Sequence, residues 1–496
     1  MKRVNWHRQH KWFGIVSCFF LLMFCLSGIL LNHRDAVSHW EVDRRWLPAR
    51  YAYTHWNGGL LRGTLPYEGS VLVYGANGIW ITDSACTQVA SFNRGLPAPA
   101  DFRQVRNVIQ ARSGELYAVT PSGVYSRPGK EADWISMPIP INENEKLSDI
   151  ASRGDTLVVV GRSALYVSPA QGEPFRPLRL AAAAGDTGKV TLFRTLWLLH
   201  SGELFGTAGK WLVDAIALIL ILLCLTGLAY WLLPFYIRRR RRKHPSATAG
   251  MCLLRALFSW HDKIGRYTIV LTLLIAFTGW CLRPPLMIPL ALTRTKPLPG
   301  STLDNPNPWH DKLRLLRYDD TFGDWLLSTS EGIHTLRSLH DVPKKVPHTP
   351  PVSVMGLNVW QKDSKGHWLC GSFSGLFAWD RQSGKSVDYF THKPAPEKPG
   401  APFGKKAIAG YSDDFRAAPF PVEYSEGTTA IPQPDSLSIL PMSLWNVALE
   451  VHSGRIYIGT YATLLFVFII GGACIWSLVT GYKIRQKKNR ISTKKR

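Results

Sequence analysis

The sequence predicts a membrane-embedded bundle of four transmembrane α-helices, built from a duplicated two-helix unit, with two mostly β segments outside the membrane. Three observations carry this prediction: four apolar runs, histidine-containing phrases that recur in both halves, and alternating strings with Gly-containing turns between the runs. At 496 residues the chain also exceeds one ordinary hydrophobic core.

Four apolar runs are long enough to cross a bilayer, which needs about 20 residues. They run from Trp12 to Leu31, from Trp211 to Phe235, from Tyr267 to Leu282 with an extension towards Leu286, and from Tyr461 to Tyr482. The string Arg283-Pro284-Pro285 ends the third run, because proline cannot continue a helix. The first run is too long for a signal peptide, and no small-residue cleavage site follows it.

Basic residues concentrate on one side of the predicted spans. The same stretches contain one acidic residue, Asp262. The basic residues are Lys2, Arg3, Arg8, Lys11, Arg238 to Arg242, Lys243, Arg255, Lys263, Arg266, Lys483, Arg485, Lys487, Lys488, Arg490, Lys494, Lys495 and Arg496. By the positive-inside rule this side is cytoplasmic, so both termini lie inside and the two long loops lie outside. Because the run of arginines directly follows a span, contact with membrane lipid is favoured over nucleic acid.

Histidines occupy matching places at the start of the first and third runs. HKWFG places His10 four residues before a glycine, and HDKIG does the same with His261. Each run closes fourteen residues after that glycine, on Ser27-Gly28 or on Thr278-Gly279. The two halves of the chain therefore repeat the same pattern.

A second phrase recurs before the other two runs. LHSGELFGTAG around His200 is similar to VHSGRIYIGTYA around His452. These runs close on Thr226-Gly227 and Thr480-Gly481. Together with the first pair, this makes four equivalently placed imidazoles on four helices.

Four such imidazoles predict haem ligation inside the bundle, because haem iron takes ligands from facing helices on both of its faces. The symmetry pairs His10 with His261 at the cytoplasmic level and His200 with His452 at the outer level. The small residues expected to let the macrocycle approach the backbone are Gly14, Gly265, Gly202 and Gly454. For any one histidine taken alone, an interfacial anchor or a hydrogen bond to a backbone carbonyl is the competing interpretation.

Further polar residues near the spans are candidates without repeat support. His33 lies about 35 Å from His10 along a continuous helix and would replace or supplement His200 or His452. His7 and His244 are cytoplasmic candidates. Ligation by His200 requires its helix to extend past the bilayer or to break near Gly206 to Gly209.

One carboxylate, Asp214, falls inside the second run, where a charge is expensive unless it is paired or hydrated. It is expected to contact Lys210, to meet a cofactor edge or to act as a helix cap.

Of the eight cysteines, only Cys86 and Cys370 lie in the outer segments, where a disulfide between them is possible. The absence of any CxxC or CxxCH string argues against zinc ribbons, thioredoxin chemistry and covalent c-type haem.

The outer segments alternate like β-strands separated by glycine turns. VLVYGANGIWITD, ELYAVTPSGVYS, TLVVVGRSALYVS, DWLLSTSEGIHTL and HWLCGSFSGLFAWD start roughly 40 to 43 residues apart within each segment. That period suits a propeller blade, while a meander or a sandwich would give similar strings.

The predicted organisation along the chain is 1–32 cytoplasmic N-terminus and helix 1, 33–195 outer β segment 1, 196–237 helix 2, 238–260 basic cytoplasmic loop, 261–286 helix 3, 287–444 outer β segment 2, 445–483 helix 4 and 484–496 basic cytoplasmic tail.

The strings HKWFGIVSCFFLLMFCLSGILLNHR and LHSGELFGTAGKWLVDAIALILILLCLTGLAYWL, echoed by WHDKIG and VHSGRIYIG, resemble the PepSY-associated transmembrane family of bacterial inner-membrane proteins. Members of that family include haem-containing ferric-siderophore reductases, which release iron as Fe(II) on the periplasmic side. The resemblance covers the helices and implies that His10, His261, His200 and His452 ligate two b-type haems.

Two hypotheses of function follow. The first is an inner-membrane di-haem b cytochrome, an oxidoreductase of the ferric-chelate reductase type, which takes electrons from a cytoplasmic donor or a quinol and passes them to a periplasmic ferric siderophore or other ferric chelate in iron uptake. The second is a periplasmic sensory or assembly membrane protein that binds a partner through its β domains without redox activity. No GxGxxG follows a strand, so the donor is expected to be another molecule.

Overall fold

The computed structural model describes residues 5–142, 145–243, 249–353, 355–398 and 406–492. The chain divides into two compact units. The helical unit takes Met1–Val37, Gly188–Asn305 and Trp445–Arg496, and the β unit takes Ser38–Thr187 and Pro306–Leu444. Each unit is therefore assembled from distant parts of the sequence.

Helices are numbered along the chain: α1 Trp6–Asn32, α2 Arg34–Val37, α3 Leu192–Ser201, α4 Gly206–Lys243, α5 Ala249–Tyr267, α6 Ile269–Cys281, α7 Met287–Leu292, α8 Asp435–Ser438, α9 Leu444–His452, α10 Arg455–Ile458 and α11 Thr460–Ser492.

Strands are numbered likewise: β1 Glu41–Val42, β2 Gly63–Tyr67, β3 Ser70–Gly75, β4 Gly78–Thr82, β5 Val89–Ser91, β6 Asn107–Gln110, β7 Leu116–Thr120, β8 Gly123–Arg127, β9 Ile135–Met137, β10 Leu147–Arg153, β11 Thr156–Gly161, β12 Leu165–Ser168, β13 Arg176–Leu178, β14 Val190–Thr191, β15 Arg294–Thr295, β16 Leu313–Asp319, β17 Asp324–Thr329, β18 Gly332–Leu336, β19 Lys344–Lys345, β20 Val359–Lys362, β21 Trp368–Ser372, β22 Gly375–Trp379, β23 Ser386–Asp388, β24 Ile408–Ser412, β25 Phe420–Glu423 and β26 Met442–Ser443.

In the helical unit, α1 packs against α4 and α11, while α11 also packs against α6, and α4 against α5. Their common core contains Cys25, Ile216 and Leu220. Large apolar side chains point away from this core, among them Trp12, Leu218 and Ile469. Within the described residues, three helices are long and apolar enough to cross a membrane, and a bent pair brings the number to four. The chain is thus a multi-pass membrane protein.

The predicted third helix, 261–286, is not one continuous helix. Amphipathic α5 and apolar α6 meet at Thr268 with a bend of 69°. α5 carries Arg255 and Lys263 among apolar residues, which suits an interface, whereas α6 is apolar on all sides. At 13 residues α6 spans only about 20 Å, and its end before Pro284 agrees with the prediction.

The helix that carries His200 breaks before the second apolar run, which is one of the two arrangements that the sequence allowed. α3 ends at Ser201, Gly202 takes a left-handed conformation with φ 82°, and α4 begins at Gly206. A Cβ atom at Gly202 would lie 2.3 Å from the carbonyl oxygen of Gly209, so only glycine allows this reversal. α9, left-handed Gly454 and α10 repeat the arrangement around His452.

The β unit consists mainly of antiparallel meanders. Five sheets have four strands each, in the orders β2-β3-β4-β5, β6-β7-β8-β9, β10-β11-β12-β13, β16-β17-β18-β19 and β20-β21-β22-β23, and a sixth pairs β24 with β25. Each of the five alternating strings of the sequence forms the second and third strands of one four-stranded sheet. The unit's ends meet where β1 pairs with β26.

Hydrogen bonds join neighbouring sheets, mainly at or next to their first strands, and link the sixth sheet back to the first. The bonds are Asn107 Nδ2 to Asp149 Oδ1 (2.9 Å), Leu316 N to Asp149 Oδ2 (2.9 Å), Arg317 Nε to Trp360 O (3.0 Å), Asn358 Nδ2 to Ile408 O (2.7 Å), Thr64 Oγ1 with Ser412 Oγ (2.8 Å), and Tyr74 Oη to Asn107 Oδ1 (2.9 Å). Cys86 and Cys370 are free thiols buried in two different core clusters of this unit.

A buried carboxylate ties the fourth sheet to the fifth. Asp319 accepts hydrogen bonds from Lys362 Nζ (2.7 Å), Trp368 Nε1 (3.0 Å) and Arg381 Nη1 (2.9 Å). Burial raises the pKa of the Asp319 carboxyl, but these donors outweigh burial and lower its pKa to about 2. The ionised carboxylate therefore stabilises the fold at neutral pH.

We expect Asp319→Asn to lower the free energy of unfolding by about 2 to 3 kcal/mol, because it leaves two cations short of an anionic acceptor. Asp155→Asn, in an exposed turn, is the control and should change stability by less than about 0.5 kcal/mol. The difference in the free energy of unfolding between the wild type and Asp319→Asn should stay constant above about pH 4. It should disappear as the pH falls towards 2, because the native carboxylate then takes up its proton. Unfolding of the detergent-solubilised chain measures both, and equal losses in the two variants would contradict this account.

Candidate functional site

The helical unit brings the four repeated histidines together as two facing pairs. The ring centroids of His10 and His261 lie 6.0 Å apart, with their planes inclined by 57°. Those of His200 and His452 lie 6.1 Å apart, inclined by 46°. These are the two pairs that the sequence symmetry predicts, and their separations agree to within 0.1 Å.

Each imidazole is fixed from behind by a hydrogen bond from Nδ1 to a carbonyl group on a neighbouring helix. His10 bonds to Ser477 O at 2.9 Å and His452 to Phe24 O at 2.9 Å. His200 bonds to Ile275 O at 3.1 Å, and His261 bonds to the backbone of Leu223. Because a carbonyl only accepts, Nδ1 must carry the hydrogen, and Nε2 of the neutral ring keeps its lone pair.

A hydroxyl stands three residues after each of these carbonyl groups. Thr278 Oγ1 lies 3.2 Å from His200 Nδ1, Thr226 Oγ1 lies 3.1 Å from His261 Nδ1, and Ser27 Oγ lies 3.2 Å from His452 Nδ1. At the fourth site the hydroxyl of Thr480 donates to Ser477 O at 3.0 Å. The polar groups behind the imidazoles therefore follow one pattern at all four places.

A glycine stands four residues after each of the carbonyl groups and lies against the imidazole. A Cβ atom would meet the histidine Cε1 at 3.2 Å from Gly28, 3.3 Å from Gly227, 2.7 Å from Gly279 and 2.9 Å from Gly481. The absence of a side chain uncovers the carbonyl one turn earlier and lets the ring approach it. These glycines belong to the Ser-Gly and Thr-Gly steps that close the four apolar runs.

The glycines expected to give space to a macrocycle lie elsewhere. Gly14 faces Ser477 Oγ, Gly265 faces Leu223, and Gly202 packs against Gly209. Gly454 packs against Val467 and Thr463. Their contacts serve helix packing, whereas the glycines of the Ser-Gly and Thr-Gly steps lie against the imidazoles. The fourfold Ser/Thr-Gly step was the signal that identifies the others.

His33 contacts no member of either pair among the contacts of the described residues. Its Nε2 donates to Asp214 Oδ2 at 2.8 Å, and Asn32 Nδ2 donates to Asp214 Oδ1 at 2.9 Å. Its ring also lies 5.3 Å from that of Trp211. Asp214 is thereby paired, while Lys210 lies near Glu203 at 3.4 Å. His7 is exposed, and His244 lies outside the described residues.

Within the described residues, no group of three or more His, Cys, Asp or Glu side chains is placed to hold a metal ion. Each candidate site supplies two imidazoles, which is the number that a haem takes from the protein when both axial positions are filled. Two imidazoles alone do not complete the coordination of a metal ion, so any metal held by such a pair needs further ligands from outside these side chains.

The fold and these pairs define a class: a multi-pass membrane protein whose helical bundle holds facing histidines at two levels. More particularly, the chain belongs to the family described as the PepSY-associated TM region, whose model matches residues 7–488. That match confirms the family resemblance seen in the helix sequences.

No curated protein matches the chain. Two crystal structures of an extracellular domain from B. thetaiotaomicron, described as part of a hybrid two component system and of a one component system, match it at TM-scores of 0.31 and 0.36 with 10% and 8% identity. They cover 73% and 80% of this chain, which in turn spans 30% and 44% of theirs. Likenesses this weak carry no argument about fold or function.

We expect Asp214→Leu to destabilise the helical unit by about 1 to 3 kcal/mol, because it removes the shared acceptor of Asn32 and His33. Asp214→Asn keeps an amide oxygen in that place and should cost less. Leu225→Ala, which changes an outward-facing side chain of the same helix, is the control. The free energy of unfolding of the full chain in mixed micelles is measured for each variant. A more stable Asp214→Leu variant would show that the hydrogen bonds of Asp214 with Asn32 and His33 do not stabilise the helical unit.

Proposed function

We propose that this protein is an inner-membrane di-haem b cytochrome that transfers electrons across the membrane to a periplasmic ferric siderophore or other ferric chelate. The observation that carries the proposal is the pair of facing imidazoles at each of two levels, 6.0 and 6.1 Å between centroids. Family membership supports it through the resemblance of the helix sequences to haem-containing ferric-siderophore reductases.

The spacing of the imidazoles fits a shared metal ion. A metal–imidazole bond of about 2.0 Å on each side, added to the distance from nitrogen to ring centre, puts two axial imidazoles about 6.3 Å apart between centroids. Both pairs lie within a few tenths of an ångström of that value. His10 and His261 would hold one haem, and His200 and His452 the other.

The hydrogen bonds behind the rings also suit this role. Donation from Nδ1 to a carbonyl fixes the tautomer and the orientation of a metal-bound histidine and raises its basicity. All four imidazoles have such a bond, and each ring is seated against a glycine. When bound, a haem supplies a one-electron Fe(III)/Fe(II) couple at each level.

The two levels are separated along α1. His10 lies near the start of this helix, while His452 bonds to Phe24 and lies against Gly28, 14 to 18 residues later. At 1.5 Å per residue the levels are about 25 Å apart, close to the thickness of the hydrocarbon layer. Apolar residues such as Leu21, Ile216 and Leu220 fill the core between them and exclude water.

The distribution of basic residues supports the orientation. Arg8 and Lys11 flank His10, and Lys263 and Arg266 follow His261, so this pair belongs to the basic, cytoplasmic side. A cytoplasmic reductant or a quinol would donate electrons at this level, and the ferric chelate would accept them at the His200/His452 level. Outer-sphere contact is enough for such a reduction, which requires no bond between the protein and the iron of the chelate.

We further propose that the β unit is a six-bladed propeller, whose blades are the five four-stranded sheets and the β24-β25 pair. The four-stranded meanders support this arrangement, as do the hydrogen bonds that join consecutive first strands and return from β24 to β2. A medium-resolution density map with six radial sheets is the expected result, and two face-to-face sheets would contradict it.

A sensory or assembly protein without redox activity is the second candidate. The size of the β unit favours it, because this unit takes more than half of the chain. The two candidates differ in one spectrum. Protein purified from haem-replete cells should show a Soret band and a reduced α-band, and addition of ferric citrate to the reduced protein should bleach the α-band. Absence of both bands would favour the sensor.

We expect His261→Ala to abolish one of two redox transitions followed at the α-band, because it removes an axial ligand of the cytoplasmic-level haem only. His7→Ala, one turn before His10 and exposed, is the control and should keep both transitions. Loss of both transitions, or of neither, in His261→Ala would show that the histidines pair differently.

We expect Gly481→Ala to weaken haem retention at the cytoplasmic level by roughly 10-fold, because its Cβ would lie 2.9 Å from His10 Cε1 and displace the ring. Gly472→Ala is the matched control on the same helix, since its nearest neighbour lies 3.9 Å away. Transfer of haem to apomyoglobin measures retention. Equal losses of haem from the two variants would mean that helix packing in general, and not the contact of Gly481 with His10, determines haem retention.

A further inference from the structure

A cavity of about 660 Å³ opens within the β unit. Its wall is formed by β6, β10, β16 and β20, which are the first strands of four consecutive sheets, by the turns next to them and by Tyr74 of β3. Small-molecule sites typically enclose about 300 to 1,000 Å³. The cavity is therefore large enough for a ligand the size of a substituted benzene ring or a few such rings.

The charge of the lining is positive. The described residues that line the cavity include three arginines, Arg112, Arg153 and Arg317, and one acidic residue, Asp320. Arg317 is neutralised by the buried Asp149, at 2.5 Å. The β unit as a whole carries 30 basic and 29 acidic residues, so the excess at the cavity is local.

Arg112 and Arg153 supply that excess at the mouth of the cavity. Both side chains are exposed, and within the described residues no carboxylate forms an ion pair with either of them. A guanidinium group presents donors in a planar fork that matches a carboxylate or a phenolate pair. The mouth therefore offers two such forks to an incoming anion.

Aromatic rings stand beside the charges. Tyr74, Tyr318 and Trp360 line the cavity, and the Arg153 guanidinium lies 4.1 Å from the centroid of the Tyr318 ring. The stack holds the Arg153 side chain in position, while ring faces favour flat ligands. Charge and shape together select for an anion that carries an aromatic ring.

We propose that this cavity is a binding site for a small anionic aromatic molecule, held by Arg112 and Arg153 and stacked beside Tyr318. The site goes beyond electron transfer, because it concerns the β unit alone and requires neither haem nor reduction. Ferric complexes of aromatic phenolates and carboxylates belong to the same chemical class, so the cavity would also serve to collect an acceptor for the proposed reductase.

The test measures binding of 2,3-dihydroxybenzoate to the detergent-solubilised full chain by isothermal titration calorimetry. Acetate, an anion without a ring, and benzyl alcohol, a ring without a charge, are the comparison ligands. Arg112→Ala, Arg153→Ala and the double variant are compared with Arg179→Ala, which removes an exposed arginine next to β13, in the same sheet as Arg153. Thermal melting confirms that every variant retains the fold.

We expect saturable binding of 2,3-dihydroxybenzoate, weakened about 10-fold by each single substitution and about 100-fold by both, with Arg179→Ala unchanged. No saturable binding to the wild type, unchanged affinity in the double variant, or an equal loss in Arg179→Ala would overturn the site. Equally tight binding of acetate would overturn the aromatic part of the assignment. A chain that binds the ligand but lacks a Soret band would refute the cytochrome and leave this site standing.

Discussion

A helix carbonyl uncovered by glycine is the constraint on which the helical unit depends. In each of the four runs a carbonyl at one position is followed three residues later by a hydroxyl and four residues later by glycine, as in Ile275, Thr278 and Gly279. A side chain at the fourth position would cover that carbonyl. With glycine there, the imidazole approaches the helix backbone, donates from Nδ1 and turns Nε2 away from the backbone. The sequence therefore controls both the place and the tautomer of the ring.

Duplication then converts one such contact into two facing pairs of imidazoles. His10 is seated on α11 and His452 on α1, while His200 is seated on α6 and His261 on α4. Each half of the bundle supplies one histidine to each pair. The left-handed glycines Gly202 and Gly454 reverse the chain so that His200 and His452, which precede the membrane runs in sequence, still reach the bundle. Two similar separations, 6.0 and 6.1 Å, are what two copies of one geometry would produce.

Much of this architecture follows from the sequence. The lengths of the apolar runs indicate which helices cross a membrane, and the repeated histidine motifs indicate the internal symmetry. The predicted β strings each form the central hairpin of a sheet, since short apolar or alternating runs separated by glycine turns are typical of strands packed on one or both faces. Other features escaped sequence reasoning for physical reasons. The bend at Thr268 depends on where amphipathic α5 gives way to apolar α6, and the nearest glycine, Gly265, lies three residues earlier without ending the helix. The last strand of each four-stranded sheet has only two or three residues, and the first strands and the β24-β25 pair lack the repeated strings. The partners of Asp214 come from a different helix, which sequence spacing cannot show.

The central claim is that two imidazole pairs hold two porphyrin irons. The most direct measurement is a pyridine haemochrome assay on protein purified from haem-replete cells, with the protein concentration fixed by amino-acid analysis. This account predicts two non-covalent b-type haems per chain. A chain that contains no haem, while its fold is intact, would contradict the account.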